Sequence, residues 1–82
     1  MIYKTRGTCS VAINIELDGD TVKKAEFIGG CHGNTQGVAA LVEGMKCADV
    51  LERLEGITCG GKPTSCPDQL CKAIRKAMEQ TA

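Results

Sequence analysis

From Val11 to Leu17 apolar and polar residues alternate, with β-branched side chains on one face, the period-two pattern of a half-buried strand. Asp18-Gly19-Asp20 then supplies hairpin-turn chemistry. The chain returns over Thr21 to Ile28, with Ala25 and Phe27 on one side and Lys24 and Glu26 on the other. Tyr3 to Arg6 is short and apolar enough at its start to add a third strand.

After Gly29-Gly30-Cys31-His32-Gly33 the period changes to that of helices. Asn34 or Thr35 is a candidate cap, and Val38, Leu41, Val42 and Met45 are spaced for one buried face, with Gly44 as the stop. A second helix is expected from Lys46, carrying Cys47, Val50, Leu51 and Leu54 on one stripe, with Gly56 as the left-handed residue beyond its end. A glycine-rich loop runs from Ile57 to Ser65. The last helix is expected to place Cys66 at the cap and Pro67 at the first helical position, with Asp68 complementing the dipole. Its stripe is Leu70, Cys71, Ile74, Ala77 and Met78, and Lys72, Arg75, Lys76 and Glu79 face outward. The elements predict an α+β domain over residues 1–82: an N-terminal antiparallel hairpin of two or three strands, then three helices.

Composition makes the core of this domain marginal. A chain of 82 residues buries only about 60% of its unfolded surface, and Tyr3 and Phe27 are its only large aromatic side chains, with no Trp. A structural metal would reinforce such a core. Ten basic and ten acidic residues give a formal charge of zero, so no field draws in a polyanion and nucleic-acid binding is disfavoured. The longest wholly apolar run, Val38 to Val42, is too short for a bilayer, and the N-terminal sequence has no cleavage-site pattern. The expectation is a soluble, cytoplasmic protein whose thiols stay reduced, which favours metal ligation or redox chemistry over a permanent disulfide framework.

The chain has six cysteines. Cys9, Cys31, Cys59 and Cys66 fall beside Gly, Ser, Thr or Pro in loop-like contexts, whereas Cys47 and Cys71 occupy apolar helical positions where cysteine acts as a small hydrophobe. Cys66, opening a helix, is expected among unpaired backbone N–H groups that favour a thiolate. The spacing of Cys59 and Cys66 lacks the two-residue knuckle of common zinc fingers, so a four-thiolate site requires Cys9 and Cys31 to join them. Such a set suits zinc or an iron-sulfur cluster, and redox disulfides or free thiols remain alternatives. His32, the single imidazole, is an alternative ligand or proton carrier. No Ser-His-Asp set, Walker loop or dinucleotide fingerprint is present, so no catalytic residue is assigned.

The runs G-G-C-H-G-N-T-Q-G, L-V-E-G-M and I-T-C-G-G-K-P-T-S-C-P-D-Q-L resemble the small TSCPD-domain proteins, named for the five residues here numbered Thr64 to Asp68. The resemblance spans nearly the whole chain and makes Cys9, Cys31, Cys59 and Cys66 the motif cysteines. It further implies similarity to the C-terminal segment of cobalamin-dependent ribonucleotide reductases, where zinc binding is suspected, and from which stand-alone members inherit a reductase label. This chain has no room for the barrel, radical loop or nucleotide sites of a reductase, so any such role would be accessory, with a nucleotide-reducing enzyme or another redox protein as partner. A looser similarity runs to U-type iron-sulfur scaffold proteins, in which three cysteines hold the cluster. Cys9, Cys31 and Cys66 resemble those three, and Cys59 would be a fourth ligand that closes the site.

Overall fold

The computed structural model describes residues 1–5, 10–29, 32–58 and 64–81. Three strands form an antiparallel sheet in the order β1 (Ile2–Lys4), β2 (Ser10–Asp18) and β3 (Thr21–Gly29), followed by α1 (His32–Val42), α2 (Cys47–Leu54) and α3 (Cys66–Thr81). The α+β architecture and the third strand follow the sequence pattern. The strand expected to reach Arg6 ends at Lys4, and Arg6 lies outside the described residues.

Asp18 pairs with Thr21 across a two-residue turn of Gly19 and Asp20, and Gly19 takes φ +62°, which an L side chain rarely adopts. Ile13 opposite Phe27, and Ile15 opposite Ala25, set one apolar face of the sheet. α3 lies against β2 and α1 against β3. The resulting core joins Ile13, Ile15, Val22 and Ala25 to Val50 of α2 and Leu70, Cys71 and Ile74 of α3.

Two bulges break the expected alternation. Between the pairs Ser10–Gly29 and Ala12–Ile28, β2 carries one extra residue, Val11. Val11 therefore leaves the face of Ile13 and Ile15 and is 67% exposed, against the expectation that it shares their burial. Gly29 accommodates the irregularity at φ +78°, where an added Cβ would stand 3.1 Å from Val11 Cγ2. The second bulge lies at Lys23, between the pairs Glu16–Lys24 and Leu17–Val22, and brings Val22 onto the buried face with Ala25.

α1 starts at His32, before the expected cap at Asn34 or Thr35. Among its described side chains, Thr35 and Val42 are buried, flanked by partly buried Val38 and Ala39. Leu41 was expected in that stripe and is 75% exposed instead, because the face meeting β3 turns about Thr35, Ala39 and Val42. The connector to α2 docks on the hairpin: Val22 N–H donates to the Met45 carbonyl at 2.8 Å, Gly44 N–H to that of Val22 at 2.8 Å, and Cys47 N–H to that of Asp20 at 2.7 Å. Gly44 and Gly56 adopt φ +87° and +89°, as their places after α1 and α2 predict. No described helix is long and apolar enough to cross a membrane.

Candidate functional site

The first turn of α3 is held by a buried polar lock. Ser65 Oγ accepts the Asp68 N–H at 3.2 Å while the Ser65 carbonyl accepts the Gln69 N–H at 2.8 Å. That pattern makes Ser65 the helix cap, with Cys66 and Pro67 the first two helical residues. The expectation that Cys66 itself caps the helix is thus corrected by one residue: a serine hydroxyl accepts an N–H better than a thiol, and it takes the position.

Around this cap, the Thr64 hydroxyl donates to Asp68 Oδ2 at 2.5 Å and accepts from Gln69 Nε2 at 3.0 Å. Asp68 Oδ1 accepts the Gly56 backbone N–H at 2.8 Å, and the Ser65 hydroxyl donates to the Ile57 carbonyl at 2.6 Å. Thr64, Ser65, Asp68 and Gln69 are all buried, and Cys66 between them is half-buried. Burial pushes the Asp68 carboxyl up, but the Thr64 hydroxyl, the Gly56 N–H and nearby Lys72 outweigh it and hold its pKa below the ordinary value. Four of the five residues of T-S-C-P-D therefore have an assignable local role: three hydrogen-bonding side chains and a proline in the first turn. The fifth, Cys66, is the residue they surround.

The lock joins the end of α2 to the start of α3, and its residues escaped the sequence reading as a group. The S-x-x-D spacing of Ser65 and Asp68 is a capping-box signal that could have found part of it. The contacts to Gly56 and Ile57 cross a loop and leave no local mark.

Cys9, Cys31 and Cys59 lie outside the described residues, and so does the side chain of His32 at the start of α1. Among the described residues, no three His, Cys, Asp or Glu side chains gather as a metal site. Described residues near the candidate cysteines do make contacts with one another. Ser10, which follows Cys9, pairs with Gly29, two residues before Cys31. Ile57, two residues before Cys59, is hydrogen-bonded to Ser65, which precedes Cys66.

Cys47 and Cys71 are core, as their helical positions predict, with 1% and 0% exposure. Burial raises the Cys47 thiol pKa, and nearby Asp20 adds to the shift. Burial pushes the Cys71 thiol up to about 12, and its Sγ lies 3.8 Å from the Val50 carbonyl, to which its S–H donates. Both are enclosed among apolar side chains, which disfavours the thiolate that ligates a metal.

No curated protein and no solved structure matches the chain. The model of the TSCPD domain does match, over residues 1–78. With all but the last four residues covered, and its name-giving motif built into the lock at the start of α3, the chain belongs to the TSCPD-domain family.

Proposed function

We propose that this chain is a metal-binding module in which Cys9, Cys31, Cys59 and Cys66 hold one zinc ion, and that it is accessory to, or derived from, a nucleotide-reducing enzyme. The observation that supports the reading is that two described contacts each join residues lying one or two positions from a pair of candidate cysteines. The Ser10–Gly29 pairing brings together the flanks of Cys9 and Cys31, and the Ser65–Ile57 hydrogen bond those of Cys59 and Cys66. The donor set fits the ion: four thiolates make the closed tetrahedral site of structural zinc. The two remaining cysteines, neutral and enclosed in the core, are chemically set apart from it. Zinc would add stability to a small domain with one Tyr, one Phe and no Trp. The link to a nucleotide-reducing enzyme rests on the family resemblance.

Metal analysis and an absorption spectrum of protein purified without oxygen or chelators test the proposal. About one zinc per chain is expected, lost on Cys59→Ser or Cys66→Ser and kept on Cys47→Ala. Less than about half an equivalent of any metal would remove the metal reading. Iron with visible absorption would replace zinc by a cluster and turn the module into an iron-sulfur scaffold or carrier.

The Ser65–Ile57 contact also favours a second reading, in which Cys59 and Cys66 act as a dithiol. The two thiols would together give two electrons and two protons to a partner's disulfide, leaving a Cys59–Cys66 disulfide here and two thiols there. Mass spectrometry of the metal-free, oxidised chain decides it: absence of a reversible Cys59–Cys66 bond rules this reading out.

A further inference from the structure

Between α1 and α2 lies a groove of about 370 Å3, lined by Leu41, Met45, Val50 and Leu54 with Asp49 and Arg53 beside them. Leu41 lines it at 75% exposure, the highest of the exposed large hydrophobic side chains among the described residues, and with the groove's apolar lining it forms a patch. Asp49 and Arg53 stand one turn apart on α2, both exposed, and neither enters an ion pair among the described residues, where Arg75 pairs with Glu55.

We propose that this groove is the interface of a homodimer and that its occupant is the same face of a second copy of this chain. A twofold axis crossing α2 at the level of Leu51 sets the two α2 helices antiparallel. Leu51 is the midpoint between Asp49 and Arg53, so each Asp49 then faces Arg53 of the other copy and the charge pair is made twice. This opposite-sign couple is self-complementary under a twofold, which an isologous interface requires. Each exposed Leu41 lies at the edge of the apolar surface and is covered by its counterpart's groove. With ten acidic and ten basic residues in the chain, no net repulsion opposes the approach of two copies. The interface uses none of the candidate metal ligands, so it stands or falls independently of the metal.

Sedimentation equilibrium of the full chain, with and without added zinc, provides the test. The wild type is expected at twice its 8.6 kDa mass. Arg53→Glu places like charges together twice and is expected to weaken the dimer by about tenfold or more. Leu41→Asp is expected to leave monomers. The double reversal Asp49→Arg with Arg53→Asp restores the couple and is expected to recover wild-type association. Circular dichroism checks folding of each variant, and since all three positions are exposed, native spectra are expected. A monomeric wild type at millimolar concentration would overturn the proposal and leave the groove to an apolar ligand or another protein. An Arg53→Glu variant that associates as the wild type does, or a double reversal no better than Arg53→Glu, would equally overturn it.

Discussion

Asp68 accepts the backbone N–H of Gly56 at 2.8 Å, and this bond fastens the first turn of α3 to the end of α2 across the intervening loop. The same carboxylate receives the Thr64 hydroxyl, so both of its oxygens are used in a buried setting. Asp68→Asn leaves one oxygen for two donors and is expected to lower stability by about 1–3 kcal/mol in chemical unfolding. Thr64→Val, which takes a partner from both Asp68 and Gln69, should fall in the same range. Loss of less than about 0.5 kcal/mol in both variants would mean that the lock does not hold the loop.

Acid should act through this carboxylate. The folded chain keeps Asp68 ionised below its ordinary pKa, so the bound form is the charged one. Its stabilising contribution is complete above the unfolded value, near pH 4, and disappears as pH falls through the lower, folded value. Unfolding midpoints of wild type and Asp68→Asn should accordingly converge below about pH 4 and stay parallel between pH 5 and 7. A constant gap throughout would refute the assignment.

The core thiols make a separate prediction. Cys47 and Cys71 are enclosed, and their pKa values are raised, Cys71 to about 12. In the native protein at pH 8, neither should react with iodoacetamide on the timescale on which both react in denaturant. Peptide mapping after a short pulse reads this directly, and rapid native labelling of Cys71 would show that α3 opens easily.

Gly29 combines φ +78° with a close approach to Val11 Cγ2. Gly29→Ala should therefore destabilise the chain by about 1–3 kcal/mol, through left-handed strain and the 3.1 Å contact together. Pairing it with Val11→Ala removes the contact and leaves the strain, so the double variant should be less destabilised than the sum of the two single ones by about 0.5 kcal/mol or more. Strict additivity would show that the two residues do not meet.

What could be read from the sequence was what is encoded within a few residues. Gly19, Gly44 and Gly56 mark a turn and two helix ends because each supplies a backbone conformation that other residues resist. The buried stripe of α3 follows from its spacing, with Leu70, Cys71, Ile74 and Ala77 inside as expected. Val11 misled because its bulge is a property of pairing with β3, and the alternation in β2 alone runs on without interruption. Leu41 misled because helical spacing admits two neighbouring faces, and only the docking of α1 on β3 chooses between them. At the candidate site, cysteine context separated Cys47 and Cys71 from the rest. Pro67 suggested a cap at Cys66, but the competing hydroxyl of Ser65 is decided by hydrogen bonds to Ile57 and Asp68 that the order of residues does not reveal.

The extra residue at Val11 also governs phase. In a pleated strand, one added position exchanges up for down for everything on its far side. Ser10 stands two residues from Ala12 in the chain but only one step from it on the ladder, opposite Gly29 beside Ile28. Deleting Val11 would regularise the ladder, so a single-residue change in length at this point resets strand register, distinct in kind from any substitution there.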